Sequence, residues 1–109
     1  MKRLLAILLT ILFIPFLGSC RREEKADIYV SLYPLQFITE SIVKDNMTVK
    51  SFYPYGTDVH DYEPAPAQII NMSQSKAIFY IGAGLEAFIE KAAGKTLSDD
   101  ILVQMSKYV

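Results

Sequence analysis

The sequence predicts an α/β fold with a parallel sheet of about four strands flanked by helices. Short segments rich in β-branched and aromatic residues alternate with segments whose apolar residues recur at helical spacing. One stretch, YPYGTDVHDYEPAP, interrupts this alternation with prolines, a glycine and the only histidine of the chain. Alternating strands and helices are typical of parallel strands joined by right-handed crossovers, with helices on the faces of the sheet.

The individual elements follow from local composition. Strands are predicted over residues 28–32, 47–52, 76–81 and 101–105, and helices over residues 35–44, 67–73 and 85–93. Apolar spacing predicts the residues that face the sheet: Leu35, Ile38, Ile42 and Val43 in the first helix, Ile69 and Ile70 in the second, and Leu85, Phe88, Ile89 and Ala92 in the third. Gly94 is expected to end the third helix.

Composition excludes several classes of function. The chain has 109 residues, enough for one small domain, and a formal net charge of −1 with scattered lysines and arginines. A nucleic-acid surface needs a clustered basic stripe, so no nucleic-acid partner is expected. The lone histidine has no serine or cysteine motif beside it, and we therefore predict no enzyme.

The first residues are typical of an export signal. Lys2 and Arg3 precede an apolar run from Leu4 to Leu17, which is too short to cross a hydrocarbon core of about 30 Å as a helix. The following Leu17-Gly18-Ser19-Cys20 resembles a bacterial lipobox, which implies lipidation of Cys20. We therefore predict a lipoprotein signal peptide over residues 1–19, a flexible charged tether over 20–27 and a folded unit over 28–109.

His60 is the candidate metal ligand. Neutral imidazole is a common ligand for zinc and other transition metals, and nearby Asp58, Asp61 and Glu63 would favour a cation or orient the ring. A surface histidine in an acidic turn is the alternative that composition leaves open. One imidazole does not make a zinc site, because zinc takes at least three protein donors.

The glycine turn GAGLEA, residues 82–87, also has two interpretations. It satisfies the G-x-G-x-x-(G/A) pattern of dinucleotide-binding turns, but the acid expected at the end of the next strand is missing. The other interpretation is a tight turn in which Gly84 permits a close approach and Glu86 lies in the first turn of a helix. The second interpretation leaves open whether Glu86 points into a binding cleft.

Three stretches carry a family resemblance. Gly56, His60, Tyr62, Pro64 and Pro66 match a Gly-x-x-x-His-x-Tyr/Phe-x-Pro-x-Pro loop. Together with IYVSLYPL and SKAIFYIGAGLEAFIEK, this loop resembles the substrate-binding lipoproteins of zinc and manganese ABC transporters. The resemblance covers essentially the whole chain, and the histidine loop is its most specific part.

The resemblance implies a function and a larger architecture. Such proteins have two α/β lobes joined by a long helix and hold the metal between the lobes, so residues 28–109 would be the N-terminal lobe, truncated and without the second lobe. His60 would be one ligand of Zn²⁺, or alternatively Mn²⁺, for delivery to an ABC transporter permease. The protein would be exported and lipid-anchored through Cys20 at the outer face of a bacterial cell membrane. The alternative is a surface adhesin or interaction lipoprotein of the same fold.

Overall fold

The computed structural model describes residues 25–109. The predicted signal peptide and the predicted lipidation of Cys20 lie outside the described residues. Within them, no helix has the length and apolar character that a membrane crossing would need.

A four-stranded parallel sheet organises the described part of the chain. Its strands are β1 (Ile28–Val30), β2 (Val49–Ser51), β3 (Ala77–Tyr80) and β4 (Leu102–Gln104), in the spatial order β2-β1-β3-β4. All three neighbouring pairs are parallel, which confirms the predicted fold class. Each strand is shorter than its sequence segment, because only the paired residues form the ladder.

Helices cover both faces of the sheet. They are α1 (Tyr33–Val43), α2 (Pro66–Ser73) and α3 (Ala87–Ala92), with 3₁₀ turns at Lys44–Asn46, Asp99–Ile101 and Met105–Lys107. Leu35 and Val43 of α1 pack on one face of the sheet, against Ile28, Val30 and Val49. The other face holds the larger core, to which α2 contributes Met72 and α3 contributes Phe88 and Ile89.

The predicted inward face of α1 is partly wrong. Leu35 and Val43 pack as expected, but Ile38 is 54% and Ile42 is 74% exposed. The buried residue on this helix is Thr39. Residues 35, 39 and 43 are spaced four apart and lie on one side of a helix, which is the side that meets the sheet. The helix thus carries apolar residues on two sides, and spacing alone does not show which side is covered.

The second helix shows the same kind of difference. Ile70 was expected to face the sheet but is 54% exposed, whereas Gln68 and Met72 are buried. Gln68 can be buried because both ends of its amide are hydrogen-bonded. In α3 the predicted Phe88 and Ile89 are buried, and Gly94 follows the helix with a φ of +67°.

Asp27 joins the amino ends of three strands. Its carboxylate accepts hydrogen bonds from the backbone N–H and the hydroxyl of Thr48, at 3.0 and 2.9 Å, and lies 2.9 Å from the ammonium of Lys76. Ala26 is buried in the larger core. Ala26 and Asp27, the last residues of the predicted tether, thus contact the folded unit.

The glycine turn after β3 depends on Gly82. Gly82, Ala83 and Gly84 all have positive φ. A Cβ on Gly82 would lie 2.3 Å from Nε2 of Gln104, whereas a Cβ on Gly84 would meet nothing within 4 Å. The close approach expected at Gly84 is therefore made at Gly82, and Gly84 is required only for its backbone conformation.

Asp27→Asn is expected to lower the free energy of unfolding at neutral pH. The N–H of Thr48, followed by Lys76, lowers the pKa of Asp27 to about 2. A lowered folded-state pKa stabilises the fold above the unfolded value of about 4, and this contribution is lost as the pH falls from about 4 to about 2. Urea unfolding between pH 7 and 2 should show that part of the acid dependence missing in the variant. Asp45→Asn, which changes an exposed acid after α1, is the control and should keep the wild-type profile.

Gly82→Ala is expected to destabilise the fold more than Gly84→Ala. Both variants place a Cβ at positive φ, which costs about 1–2 kcal/mol, but only Gly82→Ala also forces the side chain of Gln104 to move. Chemical denaturation measures the difference. Adding Gln104→Ala to Gly82→Ala should recover the excess over Gly84→Ala, and equal losses in the two single variants would contradict the assigned contact.

Candidate metal centre

The histidine loop lies at the carboxyl edge of the sheet. It follows β2 directly and ends at α2, and the turns after β1 and β3 reach the same edge because the strands are parallel. Ligands of open α/β sheets bind at this edge. The loop opens with a turn in which the N–H of Thr57 donates to the carbonyl of Pro54 at 3.2 Å. Gly56 has a φ of +78°, as the third residue of a type II turn requires.

A cluster of four aromatic rings packs between the loop and the core of the lobe. The rings belong to Phe52, Tyr53, Tyr62 and Phe88. Phe52 is fully buried and Tyr53 is 8% exposed. The ring of Tyr53 has its centroid 4.8 Å from that of Phe52, 5.2 Å from Tyr62 and 6.3 Å from Phe88. Phe52 and Phe88 meet edge to face at 5.2 Å. Tilted and edge-to-face geometries are the favourable ones for aromatic pairs, so the loop rests on a well-packed base.

His60 is exposed on this supported loop. Its backbone N–H donates to Oδ1 of Asp58 at 2.9 Å, a local bond in which an aspartate closes a turn over the next two residues. The sequence suggests Asp58 as a residue that favours the cation or orients the ring of His60. In the structure its Oδ1 accepts from the backbone N–H of that histidine.

The residue before His60 is tied to the aromatic cluster. The hydroxyl of Tyr53 donates to the carbonyl of Val59 at 3.2 Å, and Val59 packs against the larger core. Burial, followed by the negative charge of Glu86 and the hydroxyl of Tyr62, raises the pKa of Tyr53 to about 12. A phenol is protonated at neutral pH in any case, and the raised pKa extends the range in which the hydroxyl is a hydrogen-bond donor to strongly alkaline solution.

Gln68 connects the loop to α2 and to the end of β2. Its carbonyl oxygen accepts from the hydroxyl of Tyr62 at 2.6 Å, and its amide nitrogen donates to the carbonyl of Phe52 at 2.7 Å. The side chain is 7% exposed, so both bonds are shielded from water. This amide fixes the part of the loop that follows His60.

The other acids of the loop are placed differently from Asp58. Asp61 and Glu63 are exposed, and Glu63 borders a hollow beside α3 together with Phe88 and Lys91. Across residues 25–109, no group of three or more histidine, cysteine, aspartate or glutamate side chains is positioned to hold a metal ion. The described residues thus supply one exposed imidazole rather than a complete ligand set.

Glu86 is a structural residue of the glycine turn. It is 1% exposed, and its two carboxylate oxygens accept hydrogen bonds from the N–H groups of Ile81, at 2.9 Å, and Gly82, at 2.8 Å. It precedes α3, which begins at Ala87, rather than lying in the first helical turn. The carboxylate of Glu86 thus satisfies two backbone donors where β3 passes into the glycine turn.

Two residues that shape the centre had no sequence signal. Tyr53 is the first residue of a stretch without periodicity, and Gln68 is a polar residue in a short helix. Their partners lie 6 and 16 positions away along the chain and follow no regular spacing.

The fold and the edge loop define a class of protein, the α/β lobe of a two-lobed binding receptor. The chain is similar in structure to the metal-dependent lipoprotein YcdH from Bacillus subtilis, with a TM-score of 0.67 and 27% identity over 75% of this chain and 31% of that one. The chain belongs to the ZnuA family, the periplasmic component A of zinc-uptake complexes, whose model matches residues 28–109.

Relatives within this group differ in the metal that their names state. The chain is 31% identical to the high-affinity zinc uptake system protein ZnuA of Haemophilus ducreyi, over 85% of this chain and 30% of the relative. It is 35% identical to the manganese ABC transporter substrate-binding lipoprotein PsaA of Streptococcus pneumoniae, over 63% of this chain and 22% of the relative. The chain spans about 30% of the length of the curated relatives it matches.

Glu86→Gln is expected to destabilise the fold without altering the response of His60 to zinc. Glutamine offers one carbonyl oxygen where two backbone donors need acceptors, and an unsatisfied buried donor costs about 1–3 kcal/mol. Chemical denaturation and zinc titration of the folded variant measure the two effects. Glu90→Gln, an exposed change on α3, is the control. A lost zinc response at unchanged stability would show that Glu86 belongs to the ligand set instead.

Proposed function

We propose that this chain is the N-terminal lobe of a receptor that captures a divalent metal ion outside the membrane for an ABC importer. The observation that carries the proposal is the exposed imidazole of His60, on a loop fixed by buried aromatic rings at the carboxyl edge of a parallel sheet. Membership of the zinc-uptake family supports the same conclusion. The activity is binding and delivery, and no chemical step on a substrate is proposed.

The proposed site is shared with donors beyond the described residues. His60 supplies one ligand, and residues 25–109 hold no cluster that would complete the coordination. Zinc in proteins takes four ligands in most sites and at least three from protein in open ones. The remaining donors would come from a second lobe, which accords with the small share of the relatives' length that the chain spans.

Zinc is the proposed cargo and manganese is the alternative. Imidazole suits zinc, whereas oxygen donors suit manganese, and the one ligand assigned to this chain is an imidazole. Relatives named for each metal are found at similar identity. The donors that join His60 would therefore decide the selectivity.

The proposed location is the outer face of the bacterial cell membrane. Residues 1–19 would direct export, and Cys20 would carry the lipid that anchors the mature chain near its permease. Several relatives are named as substrate-binding lipoproteins of metal ABC transporters, which supports this arrangement.

The 109-residue chain alone is expected to bind Zn²⁺ weakly, with a dissociation constant in the micromolar range or above. A single imidazole with one or two carboxylates leaves most of the coordination to water. Calorimetric titration gives the affinity, and NMR of the His60 ring shows whether the imidazole takes part. Because only neutral imidazole binds metal, the affinity should fall as the solution is acidified.

His60→Gln is the decisive variant for this titration, and Asp61→Asn is its neighbouring control. Loss of the zinc response in His60→Gln, with retention in Asp61→Asn, supports the proposed ligand. Submicromolar affinity of the chain would contradict the shared site, and an unchanged response in His60→Gln would contradict the role of His60.

A further inference from the structure

The peptide unit between Val59 and His60 has both of its polar atoms bonded to side chains. Its carbonyl oxygen accepts from the hydroxyl of Tyr53 at 3.2 Å, and its N–H donates to Oδ1 of Asp58 at 2.9 Å. A peptide unit is planar, so bonds to its two opposite ends restrict the orientation of the whole plane. The Cα of His60 lies in that plane, and its side chain starts from that atom.

We propose that Tyr53 and Asp58 are positioning residues that hold this peptide plane and thereby orient the imidazole of His60 toward a divalent cation. The ligand in this inference rests on the proposed function. The restriction of the peptide plane does not, because it follows from contacts within the described residues.

Tyr53 holds the carbonyl end of the peptide unit from the core of the lobe. Its ring is enclosed by Phe52, Tyr62 and Phe88, and the residue is 8% exposed. A ring held on several sides cannot swing away when the loop moves, so the hydroxyl acts as a fixed donor.

Asp58 holds the N–H end of the peptide unit through a bond within the loop itself. It is exposed, and it lies in the same turn as the N–H that it binds. An aspartate in this position stabilises the turn without support from the core. The two bonds therefore differ in kind: one ties His60 to the body of the lobe, and the other sets the shape of the turn around it.

Orientation of a ligand before the metal arrives increases affinity. Side chains that do not touch the metal but fix its ligands typically change metal affinity by about 10–100-fold when they are replaced. His60 lies on a loop without helix or strand, so its orientation depends on the hydrogen bonds that hold its backbone. We expect a loss of about tenfold when either bond is removed.

The first arm of the test needs no metal and compares Tyr53→Phe with Tyr55→Phe in the 109-residue chain. Each change removes one hydroxyl, but Tyr55 is 97% exposed and lies outside the ring cluster of Phe52, Tyr53, Tyr62 and Phe88. Backbone ¹⁵N relaxation and amide hydrogen exchange should show increased motion at His60 in Tyr53→Phe and wild-type behaviour there in Tyr55→Phe. Equal effects of the two variants at His60 would overturn the role of Tyr53.

The second arm uses Asp58, whose exposure makes unfolding of its variants a minor concern. Asparagine keeps the oxygen that accepts from the N–H of His60, whereas alanine removes it. Asp58→Asn should therefore retain the order of His60, and Asp58→Ala should lose it. If both variants lose the order of His60, the charge of Asp58 matters rather than its hydrogen bond, and if both keep it, neither matters. Either result overturns the positioning role of Asp58.

The third arm adds Zn²⁺ alone and follows the ring resonances of His60. Affinity should fall about tenfold in Tyr53→Phe and Asp58→Ala and stay unchanged in Tyr55→Phe. Unchanged affinity in the first two variants would overturn the link from peptide plane to metal. If the wild-type ring does not respond to zinc, the proposed function fails, while the metal-free arms still decide whether the peptide is held.

Discussion

The packing of aromatic rings at the carboxyl edge of the sheet is the interaction on which the candidate centre depends. The loop after β2 has prolines and positive-φ glycine where a strand or helix would have a ladder of backbone bonds. Its order therefore has to come from side chains. Phe52, Tyr53, Tyr62 and Phe88 provide that order, because each ring touches another in a favourable geometry and the group continues into the larger core. Without this base, His60 would lie on an unsupported surface loop.

The sequence was sufficient for the architecture and insufficient for the details of the centre. Strand and helix segments are predictable because their periodicities are local, and their alternation implies the parallel sheet. The covered side of each helix was harder to predict, since Ile38, Ile42 and Ile70 are as apolar as buried residues but lie on the outer sides. Thr39 and Gln68 are buried although they are polar, and no hydropathy pattern predicts that.

The candidate centre is likewise predictable from the sequence only in part. His60 could be singled out because it is the only imidazole and lies within a recognisable loop. Asp58 and Glu86 were noted as charges, but their bonds to backbone N–H groups depend on local geometry that a sequence does not display. Tyr53 received no specific role, because the bond from its hydroxyl to Val59 is a three-dimensional contact within an irregular segment.

The attachments of Asp27 have a mechanical consequence. This residue joins β1 to Thr48 before β2 and to Lys76 before β3, at the edge of the sheet opposite the histidine loop. Because the bonds of Asp27 link the starts of β1, β2 and β3, tension on the chain just before β1 is shared with the two neighbouring strands. These bonds lie at the amino ends of the strands, whereas His60 lies beyond their carboxyl ends. Tension from the amino-terminal side therefore acts first at the end of the sheet that is remote from the imidazole.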